Sequence, residues 1–231
     1  MNLTNRNYTA ELLDADNIPF DDIKKNMLEL NVINTLLGGH KITITAAKKL
    51  IKQKKDVTIC EIGCGGGDNM AAIAKALPSK DSVKFIGIDI KQECIDFAKQ
   101  DSNNNYNVEW IVSDYKKVEF SQKPDIIFSS LFCHHFTEDQ LVEQLKWMKE
   151  NSTIGFFIND LHRHYFAYYS IKLITSVFSK SYLVKNDAPL SVARGFRKNE
   201  WEKILSAASI NNYSLEWKWA FRYLILYKHE R

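Results

Sequence analysis

The segment Val57 to Asn69, VTICEIGCGGGDN, constrains what this chain can fold into more than any other stretch. Val57, Ile59 and Ile62, with Thr58 and Cys60 between them, read as a short buried strand, and the glycines then turn tightly into a helical pattern opening near Asp68. A strand, a glycine turn and a helix start make a nucleotide cradle. With no side chains at Gly63, Gly65 and Gly67, an adenosine-type cofactor can lie against bare main chain. The spacing narrows the choice: counted from Gly63, a dinucleotide fingerprint needs glycine where this chain has Asp68, so the pattern is G-x-G-x-G.

Around that cradle, strands and helices alternate. Pro19 closes an arm with one short helix near Ala10 to Leu13; a helix follows with Ile23, Met27, Leu30 and Leu37 near one face, ended by Gly38 and Gly39. Lys41 to Lys54 predicts a second helix. Next come a helix from Asp68 to Leu77 stopped by Pro78, a strand Val83–Ile88 ending at Asp89, and a helix Gln92–Lys99. A strand Val108–Val112 ends at Ser113 and Asp114, and another spans Asp125–Ser129. Thr137 and Gln140 then cap a helix, and a strand Thr153–Ile158 ends in Asn159 and Asp160. Tyr165–Phe178 is apolar nearly all round and reads as a helix buried against the sheet or lining a pocket. Asn199–Ala208 is amphipathic, and the alternating run from Tyr213 to Tyr227 predicts an antiparallel hairpin at the sheet edge. The expectation is an α/β, Rossmann-like, mostly parallel seven-stranded sheet with helices on both faces. Residues 1–55 form an N-terminal helical arm or cap on a globular unit of residues 56–231.

In an open parallel sheet, ligands lie beyond the carboxyl ends of the strands. The residues there are Glu61, Asp89, Asp114, Ser129 with Ser130, and Asp160. Asp89 is placed to accept both hydroxyls of a ribose and Asp114 to accept from an adenine amino group. Three acids at successive strand ends behind G-x-G-x-G, with Glu61 closing the first strand, resemble the class I S-adenosylmethionine-dependent methyltransferases over about residues 57–228. The resemblance implies S-adenosyl-L-methionine as cofactor, held by Glu61, Gly63, Cys64, Gly65, Gly67, Asp68, Asp89, Ile90, Ser113, Asp114, Tyr115 and Ser129. A narrower likeness to bacterial small-molecule methyltransferases of polyketide and quinone pathways is carried by LLGGH at Leu36–His40, SSLFCHHF at Ser129–Phe136, NDLHRH at Asn159–His164, APLSVARGF at Ala188–Phe196 and FRYLILYK near residue 225. It implies O-methylation of a phenolic or polyketide-like acceptor. Removing a phenolic proton near neutral pH calls for an imidazole, and His134, His135, His162 and His164 follow the fourth and fifth strands. His135 and His162 rank first, then His134, with Asp160 orienting a neighbouring ring.

Composition trims the rivals. A formal charge of +3 is too small to imply a polyanionic partner, and the lysines at 48, 49, 52, 54 and 55 read as a solvated helix face. A base-methylating enzyme would carry an Asn or Asp, Pro, Pro, aromatic run where this chain has SSLFCHHF. Cys60, Cys64, Cys94 and Cys133 form no C-x-x-C pair, and no stretch approaches a membrane span, so the expectation is a cytoplasmic protein with reduced thiols, no metal and no nucleic-acid partner. Two alternatives stay open: an NAD(P)-dependent oxidoreductase, and a non-catalytic S-adenosylmethionine-binding protein.

Overall fold

A computed structural model describes residues 2–230 apart from 16, 53–55, 78–81 and 101–105. Lys54 and Pro78, expected as helix ends, lie outside the described residues. The arm carries a 3-10 turn at Leu12–Asp14 and leads into α1 (Phe20–Leu36) and α2 (Gly39–Ile51). Seven strands follow: β1 (Val57–Ile62), β2 (Val83–Asp89), β3 (Asn107–Val112), β4 (Ile126–Ser130), β5 (Gly155–Leu161), β6 (Tyr213–Lys218) and β7 (Arg222–Lys228). Between them run α3 (Asp68–Ala76), α4 (Gln92–Gln100), α5 (Glu138–Asn151), α6 (Tyr165–Phe178), α7 (Tyr182–Arg194) and α8 (Lys198–Ala207). The sheet order is β3-β2-β1-β4-β5-β7-β6, parallel except for β7, which runs antiparallel to both its neighbours. The expected sheet and terminal hairpin are both present.

Strand alternation sends successive side chains to opposite faces, and each face has its own core. Ile59, Phe85, Phe128 and Phe157 pack against Ile42, Ala46 and Leu50 of α2, Met70 and Ile73 of α3 and Ile95 of α4. Cys60, Ile86, Ile127 and Phe156 pack against Leu141, Leu145 and Met148 of α5 and Trp201, Ile204 and Leu205 of α8. A third cluster joins Leu3 of the arm to Tyr168 and Ile171 of α6 and Val192 of α7, with Ile33 and Leu37 from α1 and its end packed against it.

Two features depart from the sequence expectation, and one decides between alternatives it left open. β5 runs on to Leu161, because β7 pairs with it along its whole length up to the Leu161–Arg222 register, so Asn159 and Asp160 are strand residues. α6 is not buried all round against the sheet: Ala167, Tyr168, Ile171 and Thr175 face inward and Leu173, Val177 and Phe178 face out, while Phe166, Ala167 and Ile171 line a cavity, the second of the two expected placements. α7 was not expected at all. It holds Pro189 in its interior, where proline removes a backbone donor and ordinarily breaks a helix.

Candidate active site

A cavity of about 530 Å³ opens above the carboxyl ends of β1, β4 and β5, a size that suits a small organic ligand. Its walls come from the glycine turn, α1, α6, α7, the arm and the β6–β7 turn. Of the residues expected to hold a cofactor, Gly63, Cys64, Gly65, Asp68, Asp89 and Ile90 line the cavity, joined by Gly66, Asn69 and Lys91. Asp89 accepts from the Gly65 N–H at 2.8 Å and the Lys91 N–H at 2.9 Å. Burial pushes its carboxyl upward against the pull of those two bonds.

The glycines have divided duties. Gly65, at φ +50, has only the Met27 sulfur within reach of an added Cβ, at 3.5 Å, and leaves the main chain open to the cavity. At Gly63 an added Cβ would lie 2.1 Å from the Phe132 ring, and at Gly67 it would lie 2.4 Å from Trp110. Those two positions are bare for the sake of aromatic packing as much as for a ligand.

Glu61 is fully buried at the end of β1 with no cation beside it. Burial, then Asp68 and Asp89, push its carboxyl well above the usual range, with Asn69 the neighbour that opposes them. Neither carboxylate oxygen is otherwise engaged. A buried acid without a counter-charge next to an open glycine turn fits a ligand with a cationic amino group. Asp68 is taken up by the protein: His40 Nε2 lies 2.7 Å from it, and Asn34 donates at 3.1 Å. Those contacts override burial and hold its carboxyl low. Glu61 itself lies behind the glycine turn and, like Gly67, Ser113, Asp114, Tyr115 and Ser129, does not reach the cavity wall. Asp114 caps the turn after β3 through the Lys116 N–H at 3.0 Å, and the Ser129 hydroxyl lies 3.4 Å from the Cys133 sulfur.

The histidines separate clearly. His134 and His135, in the 3-10 turn after β4, both line the cavity. Asp160 accepts from the N–H groups of Phe132, Cys133 and Leu161 at 3.1, 2.7 and 2.7 Å, and one oxygen lies 2.8 Å from His134 Nδ1. Asp160 therefore orients His134, not His162. The other His134 nitrogen lies 3.5 Å from Glu11. Burial alone would lower this imidazole; Asp160 and Glu11 override it and hold His134 at about 9. His135, partly exposed, has Nδ1 3.2 Å from Asp14 and Nε2 3.8 Å from Glu11. His162 stands off the cavity, its Nδ1 accepting from the Trp217 indole at 3.2 Å; burial, then His164, lower it to about 4. His164 caps α6.

Glu11 and Asp14 were not singled out in the sequence. They reach the histidines because two arginines tie the arm across the turn. Arg6 donates to the carbonyls of Arg194, His134 and Phe136, and Arg194 to those of Thr9, His134 and His135. Nothing in the local sequence of the arm signals that destination.

Residues 59–151 match a family model described as a methyltransferase domain. Among curated protein sequences there is no match. Among solved structures, the plantazolicin methyltransferase BpumL in complex with SAH is 20% identical, with a TM-score of 0.66 over 94% of this chain and 91% of that one. Magnesium protoporphyrin IX methyltransferase from Synechocystis, with bound SAM, is 12% identical at a TM-score of 0.56, over 84% of this chain and 81% of that one. A SAM-dependent methyltransferase from Aquifex aeolicus is 18% identical at 0.60, over 91% and 98%. The match over residues 59–151 shows a methyltransferase domain in this chain, and the shared sheet shows the fold of the S-adenosylmethionine-dependent methyltransferases.

Proposed function

We propose that the chain methylates a small, largely apolar acceptor on oxygen, a phenolic or polyketide-like hydroxyl, with His135 as the base. The cofactor, when bound, supplies a methyl group on a positively charged sulfur and departs as the neutral thioether. Glu61 and the Gly63–Gly65 turn are suited to its amino-acid end, and Asp89 to its ribose. The acceptor lies among Phe132, Phe166, Ile171 and Phe221, where apolar walls exclude water. Attack of the acceptor oxygen on a sulfonium methyl carbon would form the C–O bond as the C–S bond breaks in line, so alignment supplies much of the rate, and transfer of the hydroxyl proton to His135 supplies the rest.

The observation that carries this reading is the difference between the two cavity histidines. His134 already holds its proton at neutral pH, fixed between Asp160 and Glu11. His135 faces the cavity partly exposed, with Asp14 3.2 Å from its Nδ1 and Glu11 3.8 Å from its Nε2 to fix the ring's orientation. Residues 1–55 then serve as a cap on residues 56–231, bringing Glu11, Asp14 and the α1 face to the cavity. Four buried free thiols suit the reducing cytoplasm. Among the described residues, no helix is long and apolar enough to cross a membrane.

The test is incubation with methyl-labelled S-adenosylmethionine and a fractionated extract of small phenols, comparing wild type with His135→Ala. Turnover should fall by roughly 10²- to 10⁴-fold at neutral pH. It should recover as the pH approaches about 10, where a phenol ionises unaided, with S-adenosylhomocysteine affinity unchanged. Wild-type turnover in the variant across that range would leave catalysis to alignment alone.

A further inference from the structure

Arg222 opens β7, paired across to Leu161 of β5 and Lys218 of β6. It lines the cavity yet is only 2% exposed, and its Nε and Nη1 have no hydrogen-bond partner. Gly39 makes the room: a Cβ there would sit 2.9 Å from the guanidinium carbon. The acids that attract Arg222 are Asp160 and Asp68, and burial outweighs both, lowering it to about 10, still charged at neutral pH. Both acids are already engaged, Asp160 by three backbone N–H groups and His134, Asp68 by His40 and Asn34. A buried cation with idle donors is costly, and an anion entering the cavity would remove that cost. The planar fork of a guanidinium matches a carboxylate, which can accept two parallel N–H bonds.

We propose that Arg222 is the carboxylate receptor of this cavity, taking the carboxylate of a small molecule bound there. Two sources share that chemistry: an acid group on the acceptor, and the amino-acid end of the cofactor. β7 lies three strands from β1 across the sheet, roughly 14 Å, while the side chain reaches back to Gly39. The inference rests on the methyltransferase reading and adds to it a charged group that the ligand must carry.

Calorimetric titrations of wild type, Arg222→Met and Arg222→Lys separate the sources. The first pair of ligands is S-adenosylhomocysteine and 5′-methylthioadenosine, which keeps the nucleoside and thioether but lacks the carboxylate. The second pair, added to protein saturated with S-adenosylhomocysteine, is benzoate and benzamide. In Arg222→Met, at least one carboxylate ligand should lose tenfold or more in affinity while its neutral counterpart is unchanged. Loss for S-adenosylhomocysteine assigns the carboxylate to the cofactor, and loss for benzoate assigns it to the acceptor. Unchanged affinities throughout, or equal losses for charged and neutral ligands, overturn the proposal. Should Arg222→Met fail to fold, Arg222→Lys must show the same selective loss in weaker form, since a point charge cannot make two parallel bonds; no selectivity there overturns it equally. If wild type itself binds no S-adenosylhomocysteine, it is the methyltransferase reading that has failed.

Discussion

Asp89 gives one oxygen to the Gly65 N–H and the other to the Lys91 N–H, keeping a nearly buried carboxylate in place at the edge of the cavity. Charged hydrogen bonds to two ribose hydroxyls are worth on the order of 1.5 to 3 kcal/mol each. Asp89→Ala should therefore weaken S-adenosylhomocysteine binding at least tenfold by calorimetry, with the circular dichroism spectrum unchanged; equal affinity would place the ribose elsewhere. His134 makes a second prediction. Its folded value of about 9 lies above the roughly 6.5 of an unfolded chain, so the fold binds the extra proton. The stability this contributes is fully present below about pH 6.5 and lost as pH rises through 9, on the order of a few kcal/mol. Asp14, held at about 2 by His135 and Arg194 against burial, works in the opposite window: its contribution is present above about pH 3.8 and lost as pH falls through 2. Urea midpoints from pH 6 to 9.5 should show the first decline, and a smaller one in Asp160→Asn; a flat wild-type profile would mean His134 folds neutral.

The arm, α7 and the turn after β4 act as one unit. Arg194, at the end of α7, donates to carbonyls on both other parts at 2.9 to 3.1 Å. Arg194→Ala removes charged bonds and strands buried carbonyls, at a cost on the order of 3 kcal/mol. Protease cleavage within residues 7–14 should speed up and turnover should fall, while S-adenosylhomocysteine affinity holds; cleavage at the wild-type rate would show that the arm is held by other contacts. These are also the parts that the sequence concealed. Helices and strands with a regular apolar period were legible, because period reports burial directly. α7 was not, since Pro189 reads as a stop and buried Asp187 and Arg194 interrupt its apolar face; Asp187 is buried because its carboxylate accepts from the Leu12 and Leu13 N–H groups of the arm. Glu11 and His134 meet across more than a hundred residues of chain, and no local pattern encodes such a meeting. Arg222 did leave a signal, a cation placed directly before the apolar run YLILY of the last strand.

For the whole molecule, the cradle makes a prediction about cofactor choice. A ligand at a hundred times its dissociation constant stabilises the native state by about 2.7 kcal/mol, worth roughly 5 to 10 °C in a domain of this size. S-adenosylmethionine or S-adenosylhomocysteine should raise the melting temperature by that amount, and NAD or NADP should not; a shift with NAD alone would contradict the domain assignment. The strand order has a temporal consequence. β7 is last in sequence yet lies between β5 and β6, so during synthesis the edge of β5 stays unpaired, and β6 has no strand to join, until residues 222–228 have emerged from the ribosome. The cradle side, β1 to β4, can be assembled early, whereas the wall bearing Phe221 and Arg222 is completed last. A nascent chain arrested between residues 165 and 221 would thus present a folded cradle with an open sheet edge, the stage at which a chaperone has most to protect.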